Sequence, residues 1–346
     1  MTHDVAFVGT GPEPDNPVWG ESAAMAYRHG EGYRRLDSCD LVACADLVPE
    51  NAEAFADEFG IDAVYEDYEE MLAEAAPDVV SVATPVPTHA AIVVDCLRHE
   101  NAPDAVHCEK PMATTYADAR LMEQEARRAG VQLTFNHQRR FGEEWREAKR
   151  LLDEGEIGDL ERVEAGGKNL LDYGTHMIDL CNMFADEARA EWVLAQVDYR
   201  EENVRYGAHN ENQGLAQWEY ANGVQGLALV GQGEFRRPWE HRIVGTDGVL
   251  EVGGDHGRLA VQREAGWETV DVPENDDQVA AAVAHLVECL ETGEEPVVSA
   301  TGALAATEII FGAYESVRRR GRVEFPLRID DNPLEDMVER GDLNPE

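Results

Sequence analysis

Short runs of apolar residues alternate with amphipathic stretches through the first 137 residues. Val5 to Gly9, Leu41 to Asp46, Val79 to Ala83, Val106 to Glu109 and Gln132 to Asn136 are nearly continuous apolar runs. Between them, Ala23 to Arg35, Pro49 to Phe59, Tyr68 to Ala75, Ala90 to His99 and Tyr116 to Ala129 carry apolar positions at helical spacing. Runs that are apolar on both faces, separated by helices, predict a parallel sheet with helices covering both sides.

The pattern changes after Phe141. A helix from Glu143 to Asp153, a short strand near Leu160 to Glu164 and a helix around His176 to Phe184 come first. Val193 to Tyr199, Gly214 to Tyr220, Val224 to Val230, His241 to Gly245, Gly248 to Val252 and Arg258 to Gln262 then alternate apolar and polar positions between Gly-containing turns, as antiparallel strands do. Helices at Val279 to Thr292 and Gly302 to Arg320 follow, and the acidic stretch from Asp330 to Glu346 reads as a surface tail. The expected organisation is an α/β protein. An N-terminal dinucleotide-binding domain over residues 1–137 precedes an α+β domain over residues 138–346, built on a large, mostly antiparallel open sheet with an acidic C-terminal tail.

Charge narrows the function classes. Against 29 Lys plus Arg stand 70 Asp plus Glu, a formal net charge of −41. Such a chain does not bind nucleic acid by neutralising phosphates and is repelled by anionic membranes. Lys110, Lys149 and Lys168 are the only lysines, the other 26 basic residues being arginine. An acidic surface with so little lysine fits a protein adapted to high salt, where screening removes self-repulsion. Neither a signal peptide nor an apolar run of membrane-spanning length is evident, so a cytoplasmic protein is expected. The six cysteines show no C-x-x-C pair or zinc-like spacing, so no metal site is expected and free thiols are.

Candidate chemistry gathers at the ends of the apolar runs. Gly9, Thr10 and Gly11 end the first, where glycines let a backbone turn tightly toward a pyrophosphate; a loop from Pro12 to Trp19 then separates them from Gly20. Asp46 ends the second, where a carboxylate accepts from ribose hydroxyls and repels a 2′-phosphate, so NAD is expected over NADP. Three further motifs follow: Thr84-Pro85-x-x-x-His89, Glu109-Lys110-Pro111 and Asp172-x-Gly174-x-His176-x-x-Asp179.

With Gln138-Arg139-Arg140-Phe141 and Gly245-Thr246-Asp247-Gly248, these motifs resemble the Gfo/Idh/MocA oxidoreductases, named for glucose-fructose oxidoreductase and inositol dehydrogenase, over nearly the whole chain. The resemblance implies a Rossmann domain whose Gly9, Thr10, Gly11, Asp46, Thr84, Pro85, His89, Glu109 and Lys110 bind the nicotinamide cofactor. It also implies a catalytic Lys110, an acid/base His176 with Asp172 beside it, and substrate contacts from Asn136, Lys168 and His176. Oxidising a carbinol needs a base for the hydroxyl proton while hydride leaves carbon, and histidine titrates in the right range. The implied reaction is hydride transfer between nicotinamide and a secondary alcohol or lactol of a sugar, sugar acid or cyclitol, by a homodimer or homotetramer. A glycoside hydrolase that uses NAD transiently and a non-catalytic nucleotide sensor remain open alternatives. Read without the resemblance, Asp172 and Asp179 lie four and three residues from His176, which also suits an ion-paired helix face. The loop after Gly11 and the short segment from Leu160 to Leu170 depart from the family pattern.

Overall fold

A computed structural model describes residues 2–12, 25–231, 238–274 and 277–344. The chain divides into two compact units. Most of the expected loop between Gly11 and Gly20, and Gly20 itself, lie outside the described residues.

The first unit is a doubly wound parallel sheet. Strands β1 (His3–Val8), β2 (Cys39–Ala45), β3 (Ala63–Tyr65), β4 (Val79–Val82), β5 (Ala105–Cys108) and β6 (Gln132–Phe135) lie in the order β3-β2-β1-β4-β5-β6, all parallel. Helices α1 (Met25–Arg34), α2 (Pro49–Phe59), α3 (Tyr68–Ala75), α4 (His89–Arg98) and α5 (Tyr116–Ala129) connect them. Local chemistry sets their ends. Pro49 starts α2 and Gly60, at φ +70°, stops it, while the Asp67 side chain accepts from the Glu69 N–H to cap α3. The order reverses between β1 and β4, the switch point beside which open α/β sheets bind ligands at the carboxyl ends of their strands.

The second unit is built on a nine-stranded sheet. Helix α6 (Glu143–Asp153), strand β7 (Leu160–Gly167) and helix α7 (Gly174–Phe184) precede β8 (Ala190–Asp198), the small pair β9 (Val204–Arg205) and β10 (Ala208–His209), β11 (Gln213–Tyr220), β12 (Gln225–Gly231), β13 (His241–Gly245), β14 (Val249–Gly254), β15 (Gly257–Arg263) and β16 (Gly266–Thr269). Helices α8 (Gln278–Thr292) and α9 (Ala300–Arg319), strand β17 (Val323–Glu324) and helix α10 (Pro333–Glu339) complete the chain. The large sheet runs β16-β15-β14-β13-β7-β12-β11-β8-β17, antiparallel except where β7 runs parallel to β12. No helix among the described residues is long and apolar enough to cross a membrane.

Two boundaries differ from the sequence reading. Helix α8, expected in the C-terminal domain, belongs to the first unit: Val283, Leu286 and Val287 share a core with Phe7, Tyr33 and Phe55. Its apolar stripe completes the cover of the parallel sheet, and Asp277 caps it by accepting from Val279 and Ala280 N–H. The acidic stretch after Asp330 is not a loose tail. Asn332 caps α10, whose Pro333, Leu334 and Met337 are buried, and Arg318 of α9 pairs with Asp331 and Asp336.

Candidate active site

In the first unit the carboxyl ends of β1, β2, β4 and β5 bring the motifs together. Gly9 follows β1 at φ +79°, and a Cβ there would lie 2.4 Å from Thr84 Cγ2, so only glycine lets the turn after β1 sit against the loop after β4. Asp46 closes that turn. Its Oδ2 accepts from Thr10 N–H at 2.9 Å, Gly11 N–H at 3.0 Å and Thr10 Oγ1 at 3.0 Å, and its Oδ1 from Val48 N–H at 2.9 Å. Three donors take up Oδ2 and one takes up Oδ1, so Oδ1 retains capacity for a ribose hydroxyl. A left-handed glycine turn, an acceptor at the end of β2 and the switch point between β1 and β4 suit an adenosine dinucleotide.

Three of the expected contacts are buried. His89, buried in the first turn of α4, has Nε2 2.8 Å from Thr84 O and Nδ1 2.9 Å from Pro111 O. Burial lowers its pKa against the upward pull of those carbonyls. His89 thus lies between the loop after β4 and the loop after β5, its one ring N–H donating to a backbone carbonyl. Asn136 is buried, and its amide donates to Glu109 Oε1 at 2.6 Å. Glu109 is itself buried, and the same Oε1 lies 2.9 Å from His29 Nε2. That oxygen is thus engaged in an internal network. Burial pushes the Glu109 carboxyl up, but His29, Lys110 and Asn136 outweigh it and bring it down to about 2. Lys110 follows, half-buried, joined to Pro111 by a cis peptide bond.

In the second unit, the segment between β7 and α7 carries Lys168, Asp172 and His176. Buried polar side chains hold its backbone. Asn210 Oδ1 accepts from Asp172 N–H at 2.9 Å, Glu211 Oε1 from Leu170 N–H at 2.5 Å and Asn169 Oδ1 from Tyr173 N–H at 2.7 Å. Tyr314 donates to the other Glu211 oxygen at 2.6 Å, and burial raises the Glu211 carboxyl above its ordinary range. Lys168 is exposed, its Nζ 5.7 Å from the centre of the Tyr173 ring. The Tyr173 hydroxyl donates to Glu240 at 2.7 Å and accepts from Arg139 at 3.0 Å. His176 lies in the first turn of α7 and is 5% exposed, with its N–H bonded to Tyr173 O at 3.2 Å. One turn on, Asp179 receives a two-pronged bond from Arg140, Nε to Oδ2 at 2.6 Å and Nη2 to Oδ1 at 2.9 Å, and this ion pair is buried. Asp179 is thereby a structural anchor for α7.

Sequence reasoning missed His29, Asn210 and Glu211. Each has its partner far along the chain: Glu109 lies 80 residues beyond His29, and Leu170 lies 41 before Glu211. A histidine on the inward face of α1 and a carboxylate beside β11 were the available signals.

Comparison with known proteins agrees with this architecture. Residues 17–137 match a family described as oxidoreductase family, NAD-binding Rossmann fold, and residues 159–325 match its C-terminal alpha/beta domain. The D-apiose dehydrogenase of Paraburkholderia graminis is 26% identical over 333 residues, covering 86% of this chain and 86% of the relative. The scyllo-inositol 2-dehydrogenase (NAD(+)) of Bacillus subtilis is 23% identical over 330 residues, 88% of this chain and 94% of the relative. An oxidoreductase from Agrobacterium radiobacter, solved with NAD+, L-tartaric acid and magnesium, shares the fold at a TM-score of 0.77 and 19% identity, over 94% of this chain and 98% of that one. The chain belongs to the Gfo/Idh/MocA family of oxidoreductases, with an NAD-binding Rossmann domain and the family's C-terminal domain.

Proposed function

We propose that the protein is an NAD-dependent dehydrogenase that transfers hydride between nicotinamide and a secondary alcohol or lactol of a sugar, sugar acid or cyclitol. The observation that carries this reading is the convergence of Gly9 to Gly11, Asp46, Thr84 and Lys110 at the carboxyl ends of β1, β2, β4 and β5. Relatives named as apiose and inositol dehydrogenases support the substrate class. Gly9, Thr10, Gly11 and Asp46 would hold the adenosine half of the cofactor, and Thr84, Pro85 and Lys110 would line the nicotinamide half.

When bound, NAD supplies the hydride acceptor. His176 takes the hydroxyl proton of the carbinol as general base, and Asp172 orients its imidazole and stabilises the cation that forms. Lys110 would supply an ammonium that favours alkoxide character on the substrate oxygen. Lys168, exposed on the segment that carries Asp172, contacts the substrate's other hydroxyl or carboxylate groups. Asp46 sets the preference for NAD over NADP, because a 2′-phosphate beside its carboxylate is a like-charge contact.

Two further proposals concern the environment. A net charge of −41 and three lysines suit a protein that works in concentrated salt. On one face of the large sheet, Leu194 and Leu215 are 47% and 46% exposed, and Leu215 pairs across strands with Leu229, exposed apolar positions between Gln196 and Gln217 that fit a homodimer or homotetramer built on that face. The test of function is a panel of sugars, sugar acids and cyclitols, D-apiose and scyllo-inositol included, assayed with NAD in roughly molar KCl. NADH formation from one substrate class is expected. Release of an aglycone from aryl glycosides without net NADH would replace this reading with NAD-assisted glycoside cleavage.

A further inference from the structure

Asp172 sits on neither strand nor helix, so the hydrogen bonds of β7 and α7 do not by themselves fix its backbone. Two consecutive residues from much further along the chain do. Asn210 Oδ1 accepts from Asp172 N–H at 2.9 Å and Glu211 Oε1 from Leu170 N–H at 2.5 Å, and neither Asn210 nor Glu211 has any exposure. The start of α7 closes on the same segment, since a Cβ at Gly174 would stand 2.6 Å from Asn169 O.

The two clamping residues are themselves tied down. Strands β9 and β10 pair through a two-residue turn with Tyr206 at φ +49° and Gly207 at φ +83°. Below that hairpin Asn210 N–H donates to Asn203 O at 2.8 Å, Asn210 Nδ2 to Ala208 O at 3.1 Å and Asn203 Nδ2 to Glu211 O at 3.1 Å. Tyr314 of α9 donates to Glu211 Oε2 at 2.6 Å. The donors to the Glu211 carboxylate are thus a backbone N–H and a phenol, and among the described residues it forms no ion pair. A buried carboxylate held by neutral donors costs free energy that an apolar side chain of the same size would not. Placement of the Leu170 to Asp172 backbone, rather than stability, accounts for its presence.

We propose that Asn210 and Glu211 are positioning residues: they fix the backbone from Leu170 to Asp172, and with it the place from which the Asp172 carboxylate orients His176. An orienting group must be held to within about 0.5 Å of its working position, which a turn with no ladder of its own does not achieve. The catalytic half of this statement rests on the roles proposed above for Asp172 and His176; the placement half does not.

Hydrogen–deuterium exchange of the full-length protein in concentrated KCl, resolved to single amides by mass spectrometry, reads the placement half without any substrate. In Asn210→Ala the Asp172 amide is expected to exchange about ten-fold faster, the effect of losing one hydrogen bond to a backbone N–H, while the amides of β7 stay within about two-fold. Asn210→Leu, of similar size and with no acceptor, is expected to do the same and keeps the test open if the alanine variant folds poorly. Glu211→Ala is expected to release the Leu170 amide likewise. Glu211→Gln, whose oxygen still accepts from that amide and whose amino group can donate to Tyr314, is expected to restore most of its protection. For catalysis, Asn210→Ala is expected to lower kcat about ten-fold in the parent but less than about two-fold in the Asp172→Asn background, since a residue acting through Asp172 has nothing left to act on there. Unchanged exchange at Asp172 in both Asn210 variants, or a kcat loss of equal size in both backgrounds, would overturn the proposal. Parent turnover in Asp172→Asn, with exchange behaving as expected, would count instead against the proposed function and leave the placement standing.

Discussion

Asp46 Oδ2 accepts hydrogen bonds from the N–H groups of both Thr10 and Gly11, so the carboxylate expected to read the cofactor's ribose is also the strut of the glycine turn. Cofactor choice and turn geometry therefore share one residue. In Asp46→Ser the like-charge barrier to NADP goes, and the turn loses up to three bonds worth about 1 kcal/mol each. The ratio of NAD to NADP affinity is expected to narrow while both affinities fall, as measured by quenching of intrinsic fluorescence. Tighter binding of NADP than NAD to the unsubstituted protein would remove Asp46 from this role.

Acid should unfold the protein early. Glu109 is held at about 2 against an ordinary value of 4.5, so its contribution is complete above 4.5 and is lost as pH falls toward 2. Burial pushes His107 down to about 3 and His241 to about 4, from 6.5. These two remain neutral in the fold while the unfolded chain takes up protons below 6.5, so they too cost stability as pH falls. All three carry the same sign. Denaturant midpoints in concentrated KCl are expected to decline steadily below about pH 6.5, and a midpoint constant down to about pH 4 would show that these groups are not buried as described.

The Arg140 and Asp179 pair is the buried ion pair that anchors α7. Removing Asp179 leaves the buried Arg140 guanidinium with only the exposed Glu187 carboxylate as partner, which costs up to about 3–5 kcal/mol. Asp179→Asn is expected to lose stability on that scale by urea denaturation. Arg140→Lys should recover little of it, because an ammonium cannot make the two-pronged contact.

Salt dependence follows from composition. At a net charge of −41 the folded state repels itself in dilute buffer, and roughly molar salt shortens the screening length to about 3 Å. The melting temperature should rise steeply between dilute and molar KCl. An equal melting temperature in both would identify the acidic surface as incidental.

Much of this was legible in the sequence because apolar periodicity reports burial directly. Strands β1, β2, β4, β5 and β6 stand close to where their apolar runs lie, since a parallel strand buried on both faces has no other pattern. Strand β3 escaped notice because Ala63–Tyr65 is a three-residue edge strand with no fully buried position. Helix α8 was visible as a helix, but amphipathicity does not name the surface it covers, and here Val283 and Leu286 pack with Phe7 and Phe55. In the C-terminal stretch the acidic composition hid a capped helix whose Asn332, Pro333 and Leu334 were readable in retrospect. At the site, the motifs drew attention to Glu109, Asn136 and His89 as ligand contacts. Only three-dimensional placement shows that all three are buried, because a motif records which residues occur and not how they pack.

The measurement that bears most directly on the proposed chemistry is the rate of NADH formation from the preferred polyol or sugar, in saturating NAD and molar KCl, for the parent protein against Lys110→Ala and His176→Ala. Removing either group is expected to lower turnover by about 10² to 10⁴ with NAD affinity largely kept, the loss typical of acid/base assistance. No NADH from any substrate in the panel despite bound NAD, or turnover near the parent rate in both variants, would contradict it.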